Sequence, residues 1–530
     1  MHLLNYIMIA ALLSVPKQIY GRSGLALLDY ISMKRHSPQR PSPDANPYVR
    51  LLAEQAYSRA AGAPLIAGNS VQILKDALEN YPAWLDAMGS AKKSIHFENY
   101  IITEDDIGNQ FAQVLASKAR EGIRVKLIYD WLGSVGKASN HFWERLKSAG
   151  VEVRCFNPPR FDHPMSWLSR DHRKMIVVDS KIGFVTGLCI GSIWVGYPER
   201  SIEPWRDTGI MVKGPAVADI EHAFADVWAT MGAPLPEDEI PDRSAIHPAG
   251  DVTLRVVASV PNTAGLYRLD QMIAAVARES LWLTDAYFVG IAPYVQALGA
   301  AAKDGVDVRL LVPGTTDIPI LGALSRAGYQ PLLKAGVRVF EWNGSMLHAK
   351  TAVADGRWAR IGSTNLNLSS WLGNYELDVA VEDEAFAQSM ERMYMEDLGR
   401  STEIVLSGRN KVCLAQERPK RPPRLRGRAQ GSFGRAGVGV IRVGSVVEAA
   451  ISNRRTLGPA EAKITLGAGV ILLALAVLAV LSPEWVAIPF AVISGWFAIA
   501  LLLRAYRLRP RQGKDADESP PERNSNIGES

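Results

Sequence analysis

The sequence feature that most constrains the fold is a short pattern that occurs twice. One copy runs from His172 to Asp179 and the other from His348 to Asp355. Each copy reads His-x-Lys, then four mostly apolar residues, then Asp. The copies occupy corresponding places in two similar stretches of chain, and such internal similarity predicts a duplicated domain.

The elements that precede each copy follow the same order in both stretches. Short β-rich runs alternate with helical patterns, which indicates an α/β layer architecture. The predicted strands are 93–101, 122–130 and 151–156 before the first copy, and 280–288, 305–313 and 336–342 before the second. We expect two repeated lobes, each a β-sheet flanked by helices, that pack face to face about a pseudo-twofold axis. That packing brings the two His-x-Lys segments together.

Composition sets the organisation of the remaining chain. Of the 530 residues, 48% are hydrophobic and three are cysteines, and the net charge is +5. Three cysteines give neither a disulfide framework nor a zinc spacing. The apolar run from Leu3 to Leu13 is too short to span a bilayer and favours a leader helix over a signal peptide. The predicted organisation is a leader and linker at 1–60, a first lobe at 61–240, a second lobe at 241–400, a basic segment at 401–463, two transmembrane helices at 464–503 and a polar tail at 504–530.

Two uncharged runs near the C-terminus predict a transmembrane helical hairpin. They span 464–481 and 485–503, and each is close to the length that crosses a bilayer. Only Glu484 is charged in the turn between them, whereas Arg and Lys flank the pair on both outer sides. The positive-inside rule then places both ends, and the lobes, in the cytoplasm. The basic run 418–442 is either a solvated linker or a polybasic segment beside the membrane, and the hairpin favours the second interpretation.

The residue types of the repeated pattern indicate phosphoryl chemistry. Side chains two apart on a strand share a face, so we expect His172 beside Lys174, and His348 beside Lys350. Imidazole acts as a nucleophile or as a general acid and base, and ammonium groups stabilise phosphate oxygens. The pattern predicts a phosphodiester substrate. One histidine forms a phosphohistidine, while the other protonates the leaving alcohol and then activates an incoming alcohol or water.

Further polar residues complete the predicted site. Gly362-Ser363-Thr364-Asn365 follows the second copy, and Ser363 and Asn365 are predicted to hold phosphoryl oxygens with Lys174 and Lys350. Asp207 and Glu376 follow their copies by 35 and 28 residues and are candidates to orient the histidine rings. The lysines supply positive charge and the sequence offers no carboxylate cluster, so we predict no metal and no cofactor.

Together these motifs resemble the phospholipase D superfamily, and most closely its bacterial cardiolipin synthase branch. The resemblance covers roughly 66–400. Its residues are the two His-x-Lys-x4-Asp copies, Asn99-Tyr100-Ile101, Asn157-Pro158-Pro159-Arg160, Pro204-Trp205-Arg206-Asp207-Thr208 and Gly362-Ser363-Thr364-Asn365.

The resemblance implies a two-lobe fold with the active site between the lobes and metal-independent transfer through phosphohistidine. It implies that His172 is the nucleophile, that His348 is the acid, and that Asp179 and Asp355 are structural acceptors. The implied substrates are phospholipids: phosphatidylglycerol passes its phosphatidyl group to a second phosphatidylglycerol, or to another phospholipid, and releases glycerol. The implied location is the bacterial inner membrane, with the lobes on its cytoplasmic side.

Three departures from the family pattern stand out. The first copy has Thr186 and Cys189 where the family shows Gly and Asn. The predicted hairpin is C-terminal, whereas many relatives carry theirs at the N-terminus, and the leader has no counterpart.

Alternative functions remain open at this point. A hydrolytic phospholipase D differs only in giving the phosphatidyl group to water. A nuclease would use the basic run, but that run adjoins the hairpin, so no nucleic acid is expected. An inactive membrane scaffold disagrees with the intact histidines and lysines. The sequence leaves the oligomeric state and the acyl preference open.

Overall fold

The computed structural model describes residues 47–159, 169–317, 325–326, 328–406, 412–414, 470, 473, 477, 481–482 and 484–507. The first half of the described chain contains β1 (Ile66–Lys75), β2 (Ser94–Asn99), β3 (Arg124–Asp130), β4 (Glu152–Phe156), β5 (Lys174–Val178), β6 (Ile182–Thr186) and β7 (Thr208–Lys213). The second half contains β8 (Val252–Ser259), β9 (Ser280–Thr284), β10 (Asp307–Pro313), β11 (Arg338–Trp342), β12 (Thr351–Ala354), β13 (Trp358–Gly362), β14 (Glu376–Glu382), β15 (Ser401–Leu406) and β16 (Val412–Leu414).

Helices lie between these strands in both halves. They are α1 (Pro47–Ala61), α2 (Asp76–Gly89), α3 (Asp106–Arg120), α4 (Trp131–Ser134), α5 (Asn140–Ser148), α6 (Val217–Thr230), α7 (Gly265–Val276), α8 (Ala292–Lys303), α9 (Tyr329–Lys334), α10 (Glu384–Gly399) and α11 (Glu484–Arg507). Short helical turns occur at Ser192–Trp194, Pro198–Arg200, Glu237–Glu239, Arg243–Ala245 and Ser369–Gly373.

The described strands form a 16-stranded sheet in which one order occurs twice. The first half reads β1-β7-β6-β5-β2-β3-β4, and the second reads β8-β14-β13-β12-β9-β10-β11. The strands β15 and β16 extend the edge beyond β11. The duplication predicted from the sequence is therefore visible in the topology, and the architecture is α/β as expected.

The two half-sheets are continuous, whereas the sequence predicts a separate sheet in each lobe. They join where β1 pairs antiparallel with β8, with Ile66 opposite Leu254 and Asn69 opposite Val252. This pairing satisfies the backbone groups of two strands that would otherwise be sheet edges. Strands β6 and β7 also pack on β13 and β14, so the halves share a hydrophobic core as well as an edge.

The strands that follow each His-x-Lys are fully buried. Every residue of β5 (Lys-Met-Ile-Val-Val) and of β12 (Thr-Ala-Val-Ala) is inaccessible to solvent. This burial explains the apolar stretch of each repeated pattern, because a strand that is covered on both faces consists of continuous hydrophobic residues. These strands hold the adjoining His and Lys on a rigid support.

The strand boundaries differ from prediction at the functional residues. The first copy enters its strand only at Lys174 and the second only at Thr351, so both histidines precede their strands. The cause is cross-pairing between the halves: Asp171 bridges to Tyr375, and Leu347 bridges to Arg206. Likewise the predicted strand 280–288 ends at Thr284. Beyond it, the Asp285 carboxylate accepts hydrogen bonds from the backbone N–H groups of Tyr287 and Leu366.

The Asp that ends each copy has a structural role, as the resemblance implies. Asp179 accepts from the backbone N–H groups of 92, 93 and 94, at the start of β2. Asp355 accepts from those of 278, 279 and 280, at the start of β9. Both have positive φ, near 55° and 52°, a conformation that Asp tolerates better than most residues.

Most of the predicted terminal segments lie outside the described residues. This holds for 1–46, for the basic run 418–442, for most of the first uncharged run and for 508–530. The second uncharged run falls within α11. Judged by length and hydropathy, none of the helices in the described part of the chain qualifies as a membrane span.

Candidate active site

Each motif histidine is held by the opposite half of the molecule. The backbone N–H of His172 donates to the carbonyl of Tyr375 at 2.9 Å, and its Nδ1 lies 2.9 Å from Oε2 of Glu376. The backbone N–H of His348 donates to the carbonyl of Arg206 at 2.7 Å, and its Nδ1 lies 2.7 Å from Oδ2 of Asp207. The position of each histidine therefore depends on both halves of the molecule, because its strand belongs to one half and its hydrogen-bond partners belong to the other.

The charge state of His172 suits a nucleophile. Burial lowers the pKa of His172 to about 4, against the influence of Glu376, and Lys174 lowers it further. Burial alone would raise the pKa of Glu376, but His172, Lys174 and Ser363 hold it below its usual value. At neutral pH the pair is a neutral imidazole beside a carboxylate. Nδ1–H then donates to Glu376, and Nε2 carries the lone pair.

Two buried lysines provide the positive charge of the site. Each Nζ donates to the carbonyl of the histidine two residues before it, and Lys350 Nζ also lies 3.0 Å from His348 Nδ1. Burial lowers the pKa of Lys174. Burial also lowers the pKa of Lys350 to about 8, with Asp207 opposing this shift and Lys174 adding to it. Two cations that repel each other in a buried place form a site for an anion such as phosphate.

The two polar residues after the second copy have different surroundings. The Ser363 hydroxyl donates to Glu376 Oε2 at 2.6 Å and accepts from the backbone N–H of Leu377 at 2.9 Å. Ser363 therefore supports the carboxylate that holds His172. Asn365 is 5% exposed, and its Oδ1 has no hydrogen-bond partner among the described residues.

Aromatic rings line the site unequally. Tyr100 meets His172 edge-on, with ring centres 4.9 Å apart, and Tyr287 meets His348 in the same way at 5.9 Å. These tyrosines also lie under Lys174 and Lys350, at 5.1 and 5.9 Å. Trp205 and Trp194 add two further rings beside His348, at 5.7 and 6.0 Å.

Comparison with known families identifies this arrangement. The family model described as "Cardiolipin synthase, PLD-like domain" matches residues 84–228 and 269–398, which include both His-x-Lys copies and both carboxylates. The chain belongs to the cardiolipin synthase branch of the phospholipase D superfamily. The duplicated match corresponds to the two halves of the sheet.

Individual cardiolipin synthases agree with the family assignment. The chain is 34% identical to the cardiolipin synthase of Alkalihalophilus pseudofirmus over 350 residues, which cover 65% of this chain and 69% of that protein. It is 31% identical to cardiolipin synthase A of Pseudomonas fluorescens over 418 residues, which cover 74% of this chain and 84% of that protein.

A solved structure supports the fold. The phosphatidylserine synthase of Haemophilus influenzae superposes with a TM-score of 0.52 at 13% sequence identity. The match covers 66% of this chain and 91% of that chain. At this identity the likeness shows the shared α/β fold.

Hydrogen bonds connect seven of the eight site residues predicted from the sequence, and Asn365 lies two residues after one of them, Ser363. Six of them form the two His-x-Lys pairs and the two carboxylates. The hydroxyl of Ser363 is engaged with a carboxylate, and its predicted contact with phosphate stays a prediction, as does that of Asn365.

Sequence reasoning missed the residues that surround the histidines. Arg206 is buried and bonds to Asp397 at 2.9 Å and to Asp76 at 3.1 Å, which fixes the backbone next to Asp207. Tyr100 follows β2 and Tyr287 follows β9, but the repeat register aligns Tyr100 with Ala286, so comparing the two repeats does not pair the tyrosines. No local signal distinguishes the site tryptophans from those of the core.

Proposed function

We propose that this chain is a phosphatidyltransferase that joins two phosphatidylglycerol molecules into cardiolipin and releases glycerol. The observation that carries the proposal is the pair of histidines, each held at Nδ1 by a buried carboxylate of the opposite half, beside two buried lysines. Membership of the cardiolipin synthase family and the similarity to curated cardiolipin synthases support it.

The first step transfers the phosphatidyl group to the enzyme. Neutral His172 attacks phosphorus through Nε2, while the Glu376 carboxylate accepts the hydrogen bond from Nδ1–H and stabilises the developing positive charge. The P–O bond to glycerol breaks, and protonated His348 gives its proton to the departing oxygen. Lys174 and Lys350 stabilise the negative charge on the phosphoryl oxygens in the transition state.

The second step returns the enzyme to its starting state. The primary hydroxyl of a second phosphatidylglycerol attacks the phosphohistidine, and His348 now accepts the hydroxyl proton. A P–O bond forms, the P–N bond breaks, and the electron pair of that bond returns to His172. Protonated His348 is then ready to act as the acid in the next cycle.

We also propose that the C-terminal segment attaches the enzyme to the bacterial inner membrane as a hairpin, with the two halves on the cytoplasmic side. Large apolar side chains of the described C-terminal residues are exposed, among them Leu481, Phe490 and Leu502 at 76%, 72% and 70%. Exposed apolar surface of this kind favours contact with lipid. Arg and Lys flank the two uncharged runs, and a lipid substrate suits an enzyme held at a bilayer.

Membrane attachment is tested by fractionating cells that express the full chain, followed by protease treatment of right-side-out vesicles. The proposal predicts membrane recovery that resists high salt and halves that are protected from external protease. Soluble recovery, or cleavage of the halves by external protease, would contradict it.

The catalytic proposal is tested by incubating the purified full chain with phosphatidylglycerol in mixed micelles and resolving the products. Cardiolipin with an equal amount of free glycerol is the expected result. Phosphatidic acid as the sole lipid product would instead identify a hydrolytic phospholipase D. Variants H172A and H348A serve as controls that the turnover belongs to this site.

A further inference from the structure

The two histidines face chemically different surroundings, although the halves repeat. Trp205 and Asn374 occupy corresponding positions, each two residues before the carboxylate that holds a histidine. The Trp205 ring lies 5.7 Å from that of His348. In the other half, Asn374 Nδ2 donates to Glu376 at 3.3 Å. The repeat thus places an aromatic ring beside His348, and in the corresponding position an amide beside the carboxylate that holds His172.

Trp194 extends the aromatic side of the site. Its ring lies 5.1 Å from Trp205 and 6.0 Å from His348. The side chain is 3% exposed, and its Nε1 has no hydrogen-bond partner among the described residues. The indole N–H groups of Trp84, Trp342 and Trp371 also have no acceptor among the described residues, so the feature that distinguishes Trp194 is the position of its ring beside His348. A hydroxyl of a substrate bound beside His348 would be an acceptor for its N–H.

Tyr287 forms a third wall beside the same histidine. Its ring meets that of His348 at 5.9 Å, and its hydroxyl donates to Asp317 Oδ1 at 2.9 Å, which fixes the ring in place. The neighbouring Met346 and Val289 pack with Tyr287 in a small apolar cluster that Trp205 also contacts. Three aromatic rings therefore surround the His348 ring, while its Nδ1 faces Asp207 and Lys350.

We propose that Trp194, Trp205 and Tyr287 form the alcohol subsite, which seats the glycerol head group and keeps water from the phosphohistidine. This inference rests on the proposed function. His348 exchanges its proton with the alcohol oxygen in both steps, so the alcohol lies on the His348 side. Aromatic faces pack on the C–H groups of a polyol, and an indole N–H donates to a hydroxyl. Because a low-water pocket suppresses hydrolysis, the same rings favour transfer.

The partition between cardiolipin and phosphatidic acid tests the subsite. With phosphatidylglycerol micelles, W205A is expected to raise the ratio of phosphatidic acid to cardiolipin by about tenfold over wild type. W205F keeps an aromatic wall and should remain near the wild-type ratio. Trp205 is partly exposed but packs against two apolar clusters, so circular dichroism and thermal unfolding verify that the W205A protein is folded.

The matched control is the corresponding residue of the other half. N374A disturbs the carboxylate of His172 and should lower total turnover without changing the product ratio. An unchanged ratio in W205A, or an equal change in N374A, would overturn the subsite. If wild type forms no cardiolipin, the proposed function itself fails, which is a different outcome.

The indole N–H is tested by exchange of labelled glycerol into phosphatidylglycerol, which returns the phosphatidyl group from His172 to glycerol. W194F keeps the ring and loses the donor. We expect the half-saturating glycerol concentration to rise about fivefold while the maximal exchange rate changes less. Unchanged half-saturation in a folded W194F protein would remove Trp194 from the subsite, and a W205A protein with wild-type half-saturation would overturn the subsite as a whole.

Discussion

The two ends of the active site share one topology and differ in almost every contact. At one end Glu376 holds His172 and is supported by the hydroxyl of Ser363. At the other end the shorter Asp207 holds His348, and Gly187 stands where Ser363 stands in the second half. A Cβ on Gly187 would overlap Asp207 Oδ1. The longer Glu376 side chain packs beside a serine, and the shorter Asp207 side chain packs beside a glycine. Both arrangements place a carboxylate at Nδ1 of a histidine.

A similar difference in packing explains why the first copy has Thr186 where the family shows glycine. Thr186 stands where the second half has Gly362. Across the neighbouring strand, Thr186 meets Gly209, whereas a Cβ on Gly362 would overlap Asp378. Each half therefore pairs one small residue with one larger residue, in opposite orders. The first copy is packed differently rather than degraded.

The difference between the ends corresponds to the different chemical roles that we propose for the two histidines. His172 has its pKa lowered to about 4 by burial and is neutral, as a nucleophile must be. His348 lies among three aromatic rings, on the side that we assign to the alcohol.

Removing either histidine should give the largest loss. H172A and H348A are each expected to lower cardiolipin formation by about 10⁴-fold or more, because each histidine acts in both steps. The assay is product formation from phosphatidylglycerol, with circular dichroism to verify folding. Substantial turnover in either variant would reject the two-histidine mechanism.

An activated substrate separates the two histidines. A phosphatidyl ester of p-nitrophenol needs no protonation of its leaving group, so H348A should still release one equivalent of p-nitrophenol in a burst. H172A should release none above background. A burst in H172A with none in H348A would exchange the two roles.

Neutralising the carboxylates should give an intermediate loss. E376Q and D207N are each expected to lower turnover by about 10³-fold, because an amide can donate to Nδ1 as well as accept from it and carries no charge, so it neither fixes the histidine tautomer nor stabilises the imidazolium. With the p-nitrophenyl ester, E376Q should slow the burst and D207N should not. Equal slowing by both would show that the ends act symmetrically.

The pH dependence should follow the two shifted groups. Burial lowers the pKa of Lys350 to about 8, so its ammonium is lost, and turnover falls, as the pH rises through that value. His172 is protonated below about pH 4, and turnover falls there as well. In K350R the guanidinium stays charged, so the decline in turnover should shift to higher pH, even if the maximal rate is also lower. An alkaline limb that K350R leaves in place would assign the limb to another group.

Changes in the supporting residues should give the smallest effects. S363A removes one hydrogen bond to Glu376 and is expected to lower turnover by about tenfold. G187S would imitate the second half but overlap Asp207, and should cost more than S363A. A G187S protein with wild-type turnover would show that the packing at Asp207 does not matter.

The sequence was sufficient for features that depend on periodicity and repetition. The strands before each copy, the duplication, the two His-x-Lys pairs and the two carboxylates could be recognised. Which carboxylate holds which histidine could not be predicted, because the pairing crosses between halves and leaves no local trace. The start of β5 at Lys174 was missed for the same reason, since the residues before it pair with the opposite half. Trp194 could not be distinguished from an ordinary core residue by the sequence, because only the fold brings its ring beside that of His348.

We propose that the two ends of the site are chemically unequal and that His172 is the nucleophile. The most direct test is to quench wild-type enzyme during turnover of labelled phosphatidylglycerol at alkaline pH, where phosphohistidine survives, and to map the labelled peptide. We expect label on the peptide that contains His172, and none on that peptide in H172A. Label on the peptide that contains His348 would show that His348 is the nucleophile instead.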